Sequence, residues 1–154
     1  GVTFVATANI GNEYTATRVM DRALLDRFII VEMDVLGIDE EKDLLSMLFP
    51  NVESKQIDSV AAIVADTRKE LNSEMPRIST HVSTRSSVEM VSLIYDGFTL
   101  AEASEVCIYP LFDNAGGIDS ERTFIKQIVQ KYIPNENQDD DLFNTEDVEA
   151  EPTI

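Results

Sequence analysis

The sequence predicts a mixed α/β fragment that is mostly α-helical, with two strands of a parallel sheet followed by a helical bundle. The first strand is predicted at 2–8, where an apolar, β-branched run ends at a turn rich in Asn and Gly. The second is predicted at 28–34, whose nearly continuous apolar stretch is typical of a parallel strand covered on both faces. Because two strands alone are at best marginally stable, we expect the rest of the sheet to lie outside these residues.

The chain after Gly37 is predicted to be helical. The clearest pattern is at 54–72, where apolar residues keep the three- and four-residue spacing of an amphipathic helix. Two Ser/Thr-x-x-Glu patterns, beginning at Ser86 and Thr99, predict capping boxes at helix starts. The remaining helices are predicted at 39–49, 83–95, 99–110 and 119–132.

Charge is unevenly distributed along the chain. The sequence has 29 acidic and 12 basic side chains, which gives a formal net charge of -17. The stretch 135–154 contains no Lys or Arg and carries these acidic residues: Glu136, Asp139, Asp140, Asp141, Glu146, Asp147, Glu149 and Glu151. We therefore divide the chain into an α/β part at 1–36, a helical part at 37–133 and an acidic, disordered tail at 134–154.

Composition excludes several classes of function. A net-negative chain without a run of Lys and Arg lacks the charge by which proteins hold nucleic-acid phosphates, so no nucleic-acid partner is expected. No apolar stretch approaches the roughly 20 residues of a membrane helix, so no membrane partner is expected. The single cysteine, Cys107, fits a reducing compartment, and we expect a cytoplasmic protein. With one histidine, His81, in a predicted loop or packing role, a Cys/His zinc site is excluded and no metal site is predicted.

Two places carry polar groups that packing does not require. Asn9 follows the first predicted strand, at the edge where open α/β sheets bind ligands, although an Asn here also fits a simple turn. Two Asp-Arg pairs, at 21–22 and 26–27, lead into the second predicted strand. Surface ion pairing of little energetic value is the alternative reading of these pairs.

Three segments resemble motifs of AAA+ ATPases. Residues 4–9 and 17–28 resemble the sensor 1 strand and the arginine-finger segment, and 82–97 resembles the sensor 2 helix. Within that superfamily they are most similar to the MoxR/CbbQ group and to the magnesium- and cobalt-chelatase ATPase subunits. The resemblance implies that 1–36 is the C-terminal portion of the AAA+ α/β core and that 37–133 is the helical lid.

The resemblance also implies roles for individual residues. Asn9 would orient the attacking water at the γ-phosphate, and Arg27 would be the arginine finger that reaches the nucleotide of the neighbouring subunit. Arg85 would be sensor 2 and would contact the nucleotide bound by its own subunit. Arginine suits both tasks because its planar fork stays charged and pairs with phosphate oxygens at two points. Arg18 and Arg22 are secondary candidates at the subunit interface.

A finger that acts on the neighbouring subunit requires a head-to-tail contact, and such contacts either close into rings or continue as open helices; a closed ring is what this family forms. The resemblance therefore implies a homo-oligomeric ring, expected to be a hexamer, that couples ATP hydrolysis to chaperone-like remodelling of a partner protein. A von Willebrand-type protein, common beside this family, is one candidate partner.

The phosphate-binding motifs of an ATPase do not occur in these residues. The sequence contains no G-x-x-x-x-G-K-[ST] loop, and no strand ends in a Walker B acidic pair. The first predicted strand also begins at once and without a preceding Met. We therefore expect a C-terminal piece of a longer protein, with ATP and Mg²⁺ bound mainly by the upstream part, and no hydrolysis by this segment alone.

A non-catalytic function is the alternative. The chain would then be a helical adaptor or binding module whose acidic tail docks on a basic partner. The tail motivates this reading, although a run of acidic residues also fits a solvated terminus that aids solubility.

Overall fold

The computed structural model describes residues 1–7, 23 and 26–133. The chain divides into two units, Gly1–Asp34 and Val35–Ile154, and the predicted acidic tail at 134–154 lies outside the described residues. Of the helices described, none combines the length and the apolar character needed to cross a membrane.

The predicted α/β fold with two parallel strands is wrong for the part of the chain that the structure describes. Neither 2–7 nor 28–34 forms a strand, and their apolar side chains are exposed: Phe4 by 80%, Ile29 by 96% and Met33 by 90%. A strand exists only through main-chain hydrogen bonds to a neighbour, whereas an apolar, β-branched run expresses a preference for a half-buried surface. These two segments have the composition of strands, but in the described residues they do not pair with a neighbouring strand.

The second unit is helical in its described part, 35–133. Its α-helices are α1 (Ile38–Leu48), α2 (Ser54–Leu71), α3 (Thr84–Tyr95), α4 (Leu100–Cys107) and α5 (Glu121–Gln130). Short 3₁₀ turns occupy Tyr109–Leu111 and Gly117–Asp119. The helix predicted at 54–72 is confirmed by α2, and the other predicted helices are found with boundaries shifted by a few residues.

One apolar core holds these helices together. Helix α2 lies at the centre, because it packs against α1, α3 and α5, while α4 packs against α3. The fully buried side chains of the core include Leu45, Val60, Ile63, Val64, Met90, Val91, Ile108, Ile125 and Val129. The three- and four-residue spacing seen in the sequence therefore marks the buried stripe of α2 correctly.

The helix starts determine which side chains face outward. The capping box predicted at Thr99 is confirmed, since its hydroxyl accepts from the Glu102 N–H at 3.2 Å and the Glu102 carboxylate accepts from the Thr99 N–H at 2.9 Å. The capping box predicted at Ser86 is wrong. Helix α3 is instead capped by Ser83, whose hydroxyl accepts from the Ser86 N–H at 3.2 Å. This cap places Arg85 in the first turn of α3.

Candidate functional site

Arg85 presents a free guanidinium at the start of α3. Its side chain is exposed and makes no hydrogen bond or ion pair with any described residue. Other arginines of the second unit are engaged: Arg68 with Glu41, Arg77 with Glu70, and Arg122 with the Phe112 carbonyl. Arg85 therefore keeps all of its donors available for a ligand.

A buried polar network lies directly behind Arg85. Glu41 of α1 is completely buried, and its Oε2 accepts from Arg68 Nη1 of α2 and from Thr84 Oγ1 of α3, each at 3.0 Å. Ser87 Oγ donates to the other carboxylate oxygen of Glu41. The network thus joins three helices through one carboxylate, and it includes the residue that immediately precedes Arg85.

The Arg68 guanidinium extends this network in two further directions. Its Nη2 donates to Thr84 Oγ1 at 3.1 Å, and its Nη1 donates to the Leu36 carbonyl at 2.7 Å. Leu36 precedes α1, so one side chain connects the chain entering the bundle with the first turn of α3.

The network is incompletely satisfied. Arg68 Nε is buried and has no hydrogen-bond partner. Leaving a buried donor unmade costs about 1–3 kcal/mol, and a buried ion pair is often no more stabilising than well-packed apolar residues of similar volume. The network therefore fixes geometry at a cost in stability that the apolar core has to offset.

His81 lies close enough to this network for the charge of Arg68 to affect its pKa. Burial lowers the pKa of the imidazole from its ordinary 6.5, and the positive charge of Arg68 lowers it further. His81 is half-buried in the irregular segment before α3, which agrees with the loop or packing role predicted for it.

The structure describes two of the site residues predicted from the sequence. Arg85 is placed as above, in the second unit. Arg27 lies in the first unit with its side chain exposed, and its Nη1 donates to the Ala23 carbonyl at 2.8 Å. Asn9, Arg18 and Arg22 lie outside the described residues.

Glu41 and Arg68 were not predicted as site residues. Arg68 carried a usable signal, because it occupies the apolar stripe of α2 between Val64 and Leu71, where a charge is costly unless paired. Glu41 carried none, since it lies among other acidic residues in the first turn of α1. Only the packing of α1 on α2 shows that it is buried.

A metal site and a ligand cavity are the other possible kinds of site, and neither is as well supported as Arg85. Over 1–7, 23 and 26–133, no group of three His, Cys, Asp or Glu side chains could hold a metal ion. An open cavity lined by Arg77, Ser120 and Phe124 contains an arginine that is already engaged. The Arg77 guanidinium carbon lies 3.6 Å from the Phe124 ring centre, and its Nε is 3.1 Å from Glu70 Oε1.

The fold and the site together define a helical bundle that presents an unpaired arginine from a helix start anchored by a buried ion pair. No protein-family model matches the sequence, and no solved structure matches it. The chain is similar to a protein of Thauera aromatica named "Putative chaperone BssE", with 34% identity over 103 residues. The match covers 67% of this chain and 34% of the relative, so the chain spans about a third of that protein's length.

Proposed function

We propose that this chain is part of a ring-forming AAA+ ATPase of the MoxR/CbbQ or chelatase type, which couples ATP hydrolysis to remodelling of a partner protein. The observation that carries the proposal is Arg85: an exposed, unpaired guanidinium at a helix start that a buried network holds in place. Two further observations support it. The AAA+-like segments occur in the order of that family, and the similar Thauera protein is named as a chaperone.

ATP hydrolysis requires positively charged groups held in fixed positions more than it requires a reactive side chain. In phosphoryl transfer the protein mainly positions groups and stabilises charge on the phosphate oxygens. Arg85 has its donors free for phosphate oxygens of the nucleotide bound by its own subunit. Arg27 uses one nitrogen on a main-chain carbonyl, a neutral acceptor that a phosphate oxygen can replace. Asn9 would orient the attacking water.

The magnesium ion and most of the nucleotide contacts would come from residues outside these 154, since the sequence contains no P-loop. The bundle at 37–133 would be a lid that moves as nucleotide binds and leaves. Arg27, reaching the next subunit with Arg18 and Arg22 nearby in sequence, implies a head-to-tail ring, and we propose six subunits. The remodelled protein, or a von Willebrand-type partner, would bind this ring.

Replacing Arg85 by alanine in the full-length protein is expected to raise the KM for ATP by about ten-fold or more. A hydrogen bond to a charged group contributes about 1.5–3 kcal/mol, which corresponds to about ten-fold to 150-fold in affinity. The measurement is steady-state hydrolysis of ATP with Mg²⁺ as a function of ATP concentration. Lys69→Ala is the control, because Lys69 is exposed on α2 and has no partner among the described residues. If Arg85→Ala hydrolyses ATP as the control does, the proposed role of Arg85 is wrong.

A further inference from the structure

We infer that Thr84, Glu41 and Arg68 are positioning residues for Arg85. The orientation that they impose on Arg85 would determine how well it contacts the nucleotide, so the inference rests on the proposed function. None of the three would touch the nucleotide. They would act by holding the first turn of α3 in one orientation.

Thr84 is the residue through which the network reaches Arg85. Its hydroxyl accepts from Arg68 Nη2 at 3.1 Å and donates its single proton to Glu41 Oε2 at 3.0 Å. Both roles of the hydroxyl are therefore used, and the side chain has one orientation in which they are satisfied together. Because Arg85 follows Thr84 directly, this contact fixes the backbone from which the Arg85 side chain extends.

Ser87, one turn further along the same face of α3, adds a second contact to the Glu41 carboxylate. Ser87 Oγ lies within hydrogen-bond distance of both a Glu41 oxygen and the Thr84 carbonyl, the latter at 2.8 Å. Ser83 caps the helix from outside the turn. The turn is thus held at its start, on its buried face and at its end, while Arg85 alone of its side chains is exposed and unpaired.

Stability alone does not explain a charged network here. Apolar residues of similar volume are often at least as stabilising as a buried ion pair, and they would not leave Arg68 Nε without a partner. What the ion pair adds is direction, because the planar guanidinium donates, and the carboxylate accepts, hydrogen bonds at preferred angles. A fixed orientation of the first turn of α3 is useful if a side chain on that turn, here Arg85, has to point toward a ligand.

The bond from Arg68 to Leu36 links the aim of Arg85 to the chain that enters the bundle. Arg68 Nη1 holds both the Leu36 carbonyl, at 2.7 Å, and Glu41 Oε2. A displacement of the main chain at Leu36 would therefore shift the Arg68 guanidinium, and with it the hydrogen bond from Arg68 to Thr84.

A double-mutant cycle between Thr84 and Arg85 tests the inference. Thr84→Val in the full-length protein replaces the hydroxyl by a methyl group and keeps the side-chain shape. We expect the KM for ATP to rise about two-fold to ten-fold, the loss typical of one hydrogen-bonding group. In an Arg85→Ala background the same substitution should change the KM by less than about two-fold, because Thr84 acts through Arg85.

A purely structural role for Thr84 would show as an equal change in KM in both backgrounds, and this would overturn the inference, as would an unchanged KM for Thr84→Val alone. Ser104→Ala is the control, since Ser104 is a buried serine on α4 that donates to the Leu100 carbonyl at 2.7 Å, away from the network. It should lower the unfolding midpoint without changing the KM. If Arg85→Ala by itself leaves the KM unchanged, the proposed function has failed, which is a different result from equal effects in the two backgrounds.

Discussion

Replacing Arg27 by alanine in the full-length protein is expected to lower the kcat for ATP hydrolysis by about 10³-fold to 10⁵-fold, the range measured for arginine fingers. The reason is that a finger contacts the phosphate oxygens where charge develops during the reaction. Nucleotide binding should change little, because the proposed finger would come from the neighbouring subunit. The measurements are steady-state turnover and the binding affinity for a non-hydrolysable ATP analogue.

Two further variants show whether the loss belongs to the guanidinium. Arg27→Lys keeps the charge but not the planar fork, and it is expected to remain strongly impaired. Lys55→Ala removes an exposed, unpaired cation of α2 and should hydrolyse ATP normally. A kcat for Arg27→Ala within two-fold of the native value would refute the assignment.

Replacing Glu41 by alanine is expected to lower the free energy of unfolding of the chain by about 3–5 kcal/mol. The substitution leaves the Arg68 charge buried without its carboxylate and removes the acceptor used by Thr84 and Ser87. Chemical denaturation of the 154-residue chain, followed by circular dichroism, measures the change. A loss below about 1 kcal/mol would show that the network is not formed as described.

Two variants separate the buried charge from the side chain itself. Glu89→Ala removes an exposed glutamate of α3 that has no hydrogen-bond partner among the described residues, and should change stability by less than about 0.5 kcal/mol. Glu41→Leu combined with Arg68→Met removes both charges and should recover most of the stability lost in Glu41→Ala. An equal loss in the double variant would mean that packing, and not the unpaired charge, causes the effect.

The helical part of the fold could be predicted from the sequence because helix signals are local. The apolar stripe of α2, the cap at Thr99 and the stops at Pro50 and Gly97 are read within a few residues. The sheet could not be predicted in the same way. An apolar run such as 28–34 states that the segment favours burial, whereas strand formation depends on a partner distant in sequence.

The same distinction, between local signals and contacts distant in sequence, applies to the candidate site. Arg85 could be proposed as a site residue from the sequence because the motif around it is contiguous, and the structure adds that its guanidinium is exposed and has no partner among the described residues. The network behind it joins residues separated by 27 positions between Glu41 and Arg68, and by 43 between Glu41 and Thr84. No local pattern relates residues at such separations, and only the packing of α1, α2 and α3 brings them together.

A mixing experiment tests the central claim, that each nucleotide is served by Arg85 of its own subunit and Arg27 of the next. Arg27→Ala and Arg85→Ala subunits of the full-length protein are purified separately, mixed in equal amounts, reassembled and assayed for ATP hydrolysis. In a head-to-tail ring of randomly mixed subunits, about a quarter of the sites contain both arginines. At an ATP concentration well below the native KM, where the raised KM makes Arg85→Ala about ten-fold slower than the native protein, the mixture is predicted to hydrolyse ATP at about a quarter of the native rate, well above either variant alone. A rate no higher than the mean of the two separate variants, in rings shown to contain both, would contradict it.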